Sequence, residues 1–179
     1  MTVGPDPLRD LAQWRAASDA TRLAVARRVA HAVGGTAPEL VGDAHLAGFT
    51  DAHGLPWVVV PGGQARLGLG PDEEAALLAA VRSTRRPAEL DALFGPARPA
   101  RSVAVDPFVI TAVPVPVSLA PAGTPGWALT EGDHDLEPDE DWPATLTADA
   151  ARALAAQLEA RLPTDDEWEY VARAGGSGG

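Results

Sequence analysis

Residues 161–176, Arg161-Leu162-Pro163-Thr164-Asp165-Asp166-Glu167-Trp168-Glu169-Tyr170-Val171-Ala172-Arg173-Ala174-Gly175-Gly176, leave the chain fewer structural options than any other stretch. Thr164 and Glu167 stand at the spacing of a capping box, in which the hydroxyl accepts from the Glu167 N–H and the carboxylate accepts from the Thr164 N–H. Pro163 stops any helix arriving from the left. Asp165, Asp166 and Glu167 put negative charge at the positive end of the helix dipole, Arg173 stands near the negative end, and Gly175-Gly176 can close the helix in a left-handed conformation. Trp168, Val171 and Ala172 share one face by three-and-four spacing, so that face is expected to be buried.

The same residues carry a resemblance. Arg161, Leu162, Pro163, Thr164, Glu167, Trp168, Glu169, Tyr170 and Arg173 resemble the signature of the formylglycine-generating-enzyme (sulfatase-modifying-factor) superfamily. A second segment is also similar: Val60-Pro61-Gly62-Gly63 matches the Val-Pro-Gly-Gly that opens the superfamily domain, with Leu67-Gly68 in place of the Met-Gly that ends its strand. Such a signature identifies a scaffold before it identifies a reaction. The implied fold is α+β, a C-type-lectin-related scaffold of short strands and irregular loops, here preceded by an N-terminal helical appendage. The implied division is residues 1–45 for the appendage and 46–179 for a partial superfamily domain.

Several departures bear on activity. The Pro-Val-Thr-Asn turn of the superfamily is replaced by Pro114-Val115-Pro116-Val117, which removes a hydroxyl and an amide and, at Pro116, an N–H. A shortened helix is expected there. Large residues expected before the Arg-Leu-Pro-Thr motif are replaced by Ala148, Ala150 and Gln157. The resemblance covers roughly residues 46–176, the N-terminal half of the domain. In active formylglycine generators the copper-binding cysteines and the calcium ligands follow this half, so no catalytic residue is carried over to any position, and no cofactor is expected.

Composition narrows the partners. The 179 residues hold 25 acidic against 14 basic side chains, a formal charge of −11, which disfavours nucleic acid and anionic membrane as partners. No cysteine is present, which removes disulfides, thiolate catalysis and thiolate metal sites together. No basic-then-apolar leader and no long apolar run occurs, so a cytoplasmic location is the default. Abundant Ala, Arg, Gly, Pro and Val read as a GC-rich bacterial genome, which is silent on mechanism.

Along the chain, Pro7 is expected to open a short helix through Leu8, Leu11 and Trp14. Ser18 or Asp19 caps a second, with Leu23, Ala26, Val29, Ala30 and Val33 as its apolar stripe, Arg22, Arg27 and Arg28 largely off it, and Gly34-Gly35 at its end. A shorter helical piece is expected from Pro38 to Ala47. Trp57–Val60 and Gln64–Leu69 read as the arms of a hairpin turning at Gly62-Gly63. Helices are expected over 71–94, 147–160 and 164–174, and strands over 56–69 and 101–112 with a break at Asp106-Pro107.

Three clusters invite a site and each has a plainer account. His31, His45 and His53 are 14 and 8 residues apart, with no pair at helical spacing and no carboxylate to complete a triad. Arg82, Arg85 and Arg86 read as a solvated helix end. Seven carboxylates within residues 131–141 lack the glycine turn and the bidentate Glu of a helix-loop-helix calcium loop, and read as a solvated loop. With no nucleophile and base or metal triad in view, the expected function is a non-catalytic scaffold, a pseudoenzyme-like module binding a protein partner or a second copy of itself over an open core. The alternative is a subunit or fragment of an enzyme whose reactive residues lie on a missing half or another chain. An exposed apolar surface around Trp168 and Tyr170 is expected under either reading.

Overall fold

The computed structural model describes residues 6–41, 46–81, 89, 92, 94–124 and 139–173. The architecture is α+β: among the described residues five α-helices can be bounded, with antiparallel sheets. Pro7–Arg9 makes one 3-10 turn, after which α1 (Leu11–Ala16) starts afresh, because the Asp10 carboxylate accepts from the N–H groups of Ala12 and Gln13 and resets the helix. The single helix expected from Pro7 to Trp14 is thus two pieces. α2 (Asp19–Ala32) is capped by Ser18, whose hydroxyl accepts from the Thr21 N–H.

The buried face of α2 is Arg22, Val25, Ala26 and Ala30, rotated from the expected stripe: Val33 is exposed and Arg22 is buried. The arginine has a reason to be inside. Its guanidinium donates to the carbonyls of Trp14 (3.1 Å) and Ala17 (2.5 Å) and pairs with Asp19, so it closes the C-terminal end of α1, where orphan carbonyls attract a cation.

β1 (Thr36–Val41) replaces the helical piece expected between Pro38 and Ala47, and pairs antiparallel with β2 (Leu46–Thr50), also unforeseen. Pro38 cannot serve a helix interior but is tolerated at a sheet edge, and the register shifts between Thr36 and Glu39. β2 pairs with β3 (Pro56–Val60), and β3 with β6 (Phe108–Thr111), giving a four-stranded sheet in the order β1-β2-β3-β6. α2 lies against β1 and β2. Trp14, Val25, Ala26 and Ala30 fill a core with Ala47, Phe49 and Val59. The strand pairing and this core both cross the residue 45/46 division.

β4 (Gly63–Leu67) pairs with β5 (Arg101–Val105) in a second, two-stranded sheet. The hairpin expected between β3 and β4 is therefore a different object. Trp57 faces Thr111 and Gly63 faces Val105, six residues on in one segment and six back in the other, so one register runs through both ladders. Residues 56–67 and 101–112 form one long ribbon that bends where Pro61-Gly62 lies across from Asp106-Pro107. Proline supplies no ladder N–H on either side of the bend. Gly62 turns its N–H to the Leu8 carbonyl instead (2.7 Å), and a Cβ there would lie 2.5 Å from the Val105 oxygen. Pro-Gly-Gly reads as a turn in sequence; here it is a corner between two sheets.

α3 (Pro71–Val81) lies in the connection from β4 to β5, and residues 89, 92 and 94 are helical as well. The Pro114–Val117 segment yields only a 3-10 turn, Val117–Leu119, held by Val117 N–H to the Trp142 carbonyl (2.8 Å), in line with the expected shortening. α4 (Ala148–Gln157) is capped by Thr147. It ends before Ala160 in a Schellman motif: Ala160 donates to the Ala155 carbonyl and Glu159 to that of Ala156, with Glu159 left-handed at φ 52°. α5 (Asp165–Ala172) carries the expected capping box. Among the described residues no helix is long and apolar enough to cross a membrane.

Candidate functional site

The two segments that carry the resemblance, about 100 residues apart, meet. α5 lies on β4 and β5. The Tyr170 hydroxyl donates to the Pro61 carbonyl at 3.1 Å, and a Cβ on Gly63 would stand 3.4 Å from that hydroxyl. Tyr170 is buried with Val60, Ala65, Leu67 and Val105, and this burial pushes its phenol above the usual range. Glu169 Oε1 accepts from the Gly68 N–H (2.6 Å) and from Arg173 Nε (2.7 Å), while Arg173 donates to the Gly68 carbonyl (3.0 Å) and to Glu73 at the start of α3 (2.7 Å). Asp166 forms an ion pair with Arg101 at the start of β5.

These contacts settle which way α5 faces. Asp166, Glu169, Tyr170 and Arg173 sit at positions i, i+3, i+4 and i+7, so the inward face is one of charge and hydroxyl. The apolar face that the sequence reading expected to be buried points outward instead: Trp168 is 63% exposed, Val171 37%, and Ala172 is exposed too. A reading by hydrophobicity passes over a face whose inward residues are each matched to a backbone group or counter-charge. Of the apolar surface expected around Trp168 and Tyr170, Trp168 and Val171 are exposed, as is Leu162 (41%), while Tyr170 is buried on the opposite face of α5.

Arg161 reaches Glu167 with two hydrogen bonds of 2.6 and 2.5 Å and also donates to the Leu162 carbonyl, fixing the bend that Pro163 begins. Glu167 accepts from the Thr164 N–H at 2.8 Å, and Thr164 accepts from the Glu167 N–H at 3.2 Å. The Arg161 guanidinium pulls the Glu167 carboxyl from 4.5 to about 2. A carboxylate depressed in the folded state contributes stability that is full above its unfolded value and lost as pH falls through the folded one. Glu167→Gln is expected to lower stability by ~1 kcal/mol at neutral pH, since Arg161 is largely exposed. It should also flatten the fall in melting temperature between pH 4.5 and about 2. Thermal melts of both proteins across that range check it.

A groove of about 380 Å³ opens beside this segment. One wall is the larger sheet near its β6 edge, with Trp57 of β3 and Val109 and Thr111 of β6; the other is the apolar face of α4, with Ala151 and Leu154, and Leu158 at its C-cap. Asp51, Glu159, Leu162 and the Arg161–Glu167 pair stand among its lining residues. Asp51 positions the groove wall: its carboxylate accepts from the Trp57 indole N–H (2.9 Å) and from the N–H groups of His53 and Leu55. Neither Asp51 nor the groove is evident from the sequence, because the groove exists only where the sheet meets α4, and Asp51 reaches Trp57 only through the turn that joins β2 to β3.

Among the described residues no three His, Cys, Asp or Glu side chains gather as a metal group. His31 and His53 are exposed; His45, the Arg82-Arg85-Arg86 cluster, residues 131–138 of the acidic loop and Gly175-Gly176 lie outside the described residues. Asp139 accepts from the Asp141 N–H at 2.9 Å, a local turn. The family model described as "Sulfatase-modifying factor enzyme 1-like domain" matches residues 50–179. No curated protein matches the chain.

Proposed function

The chain belongs to the sulfatase-modifying factor enzyme 1-like domain family, with that family's mixed helix-and-sheet fold, and on that premise we propose that it works in the cytoplasm as a non-catalytic scaffold that binds a protein partner. One observation carries the reading. Arg161, Thr164, Glu167, Glu169, Tyr170 and Arg173 are each engaged in holding α5 or the turn at Gly68. Of the remaining signature side chains, Trp168 faces solvent with Val171 one helical turn away, and Leu162 is exposed as well. Aromatic side chains of this kind, set among smaller apolar ones, are the usual anchors of protein interfaces.

The test is a photoreactive benzoylphenylalanine at position 168, irradiated in cells producing the whole chain, with the same residue at exposed Asp72 on α3 as control. The reading expects one stoichiometric adduct at 168 and none at 72, and Trp168→Ser should remove the complex while leaving the melting temperature nearly unchanged. An adduct partner that carries reactive residues, with turnover only in the complex, would instead make the chain a subunit of an enzyme. Equal labelling at 72 and 168 would overturn the reading.

A further inference from the structure

We infer that the partner is held by strand addition: an extended, apolar segment with basic flanks pairs with the free edge of β6 and seats its side chains in the groove below α4. This rests on the scaffold reading and names the chemistry of the partner. The two edges of the larger sheet are unlike. β1 carries Pro38 and a register shift, devices that discourage pairing. β6 has neither.

The pairing pattern says which groups β6 offers. Ala112 donates to the Pro56 carbonyl, so Phe108, Ile110 and Ala112 face β3, and alternation turns the N–H and C=O of Val109 and Thr111 away from it. Among the described residues no partner meets these outward groups. An incoming strand would lie ~4.8 Å from β6 and find all four β6 residues lining the groove, with Leu154 and Leu158 across from them. Charge selects the occupant. Asp51 and Glu159 line the groove, the Arg161–Glu167 pair is neutral as a unit, and the chain carries −11 overall, so flanking lysines or arginines are favoured and acidic flanks repelled.

The probe is a fluorescein-labelled peptide, Lys-Lys-Thr-Val-Thr-Val-Thr-Lys-Lys, titrated into the full chain, with a second peptide bearing Glu in place of each Lys. The lysine peptide should bind at least ~10-fold more tightly. It should also slow hydrogen exchange at the amides of Val109 and Thr111 but not at Ile110, already bonded to β3. Thr111→Pro removes one outward donor at a position where a sheet edge tolerates proline, and should weaken binding about tenfold, with Thr111→Ala as the control that keeps it. The exchange measurement needs no variant, so the inference stays testable if Thr111→Pro folds poorly.

Equal affinity for the two peptides would overturn strand addition, as would binding that ignores Thr111→Pro. So would protection of Val109 and Thr111 in the isolated chain: at all concentrations it would mean that a segment of the same chain covers the edge, and with a doubled mass by light scattering, a second copy. An adduct at residue 168 combined with any of these outcomes leaves the scaffold reading standing and removes only this mode of binding.

Discussion

Gly68→Ala is expected to cost about 3 kcal/mol, enough to remove a large part of a domain's usual margin of stability. Gly68 sits at φ 83°, where an L side chain costs about 1–2 kcal/mol. The space is closed as well: a Cβ would lie 2.6 Å from the Pro99 oxygen and 2.8 Å from the Ala97 oxygen. Both are backbone atoms of the segment that pairs with Leu69 through Leu69 N–H to Ala97 (2.7 Å) and Ala100 N–H to Leu69 (3.1 Å), so they cannot swing aside like a side-chain tip. Displacing Gly68 also pulls its N–H from Glu169 and its carbonyl from Arg173, loosening α5 at once.

Urea unfolding of Gly68→Ala beside Glu169→Ala separates the parts. The second variant leaves the turn unstrained but removes the charged acceptor, and should cost about 1.5–3 kcal/mol. Should Gly68→Ala stay within 0.5 kcal/mol of the parent, roughly the scatter of surface substitutions, the turn is not what ties the two signature segments together.

How far this was legible in the sequence depends on the range of each interaction. The capping box at Thr164, a cap at Ser18 or Asp19 (Ser18 in the structure), the break at Asp106-Pro107 and the end of α2 near Gly34-Gly35 were readable, because each is decided within a few residues by groups the local sequence supplies or lacks. The two strand ranges around residues 56–69 and 101–112 were readable from their β-branched and apolar residues and the turn residues that bound them. Their pairing was not, since a Pro-Gly-Gly corner and a Pro-Gly-Gly turn have the same local preferences and only the partner segment tells them apart.

β1 and β2 were missed because Thr36–Val41 carries Pro38 and charge, and Leu46–Thr50 holds Ala47 and Gly48, residues depleted from strands. Gly48 is required by its neighbour: a Cβ there would lie 2.3 Å from the Trp57 oxygen. At the candidate site, the residues were found and their orientation was not. Periodicity assigns the inside of a helix to its apolar face, whereas α5 is turned by Glu169 and Arg173 finding Gly68, contacts separated by more than 100 residues.

The N-terminal helices bring the second large expectation. Trp14 is 1% exposed, packed among Val25, Ala26 and Ala30 of α2 and Ala47, Phe49 and Val59 of the sheet, with Trp57 and Val109 against the same cluster. Truncating a buried tryptophan to alanine costs about 3–5 kcal/mol, and with a urea dependence of about 2 kcal/mol per molar the midpoint should fall by about 2 M. Where the loss appears matters more than its size. A helical appendage with its own stability would melt first and leave the sheet transition where it was. A shared core predicts one transition, shifted as a whole and seen equally by helix ellipticity and by tryptophan fluorescence. Because Trp57 and Val109 rest on this cluster and also line the groove, Trp14→Ala should weaken the lysine peptide at β6 even where the protein remains folded. Two separate transitions, or full peptide affinity in the variant, would mean that the N-terminal helices support neither the sheet nor its binding edge.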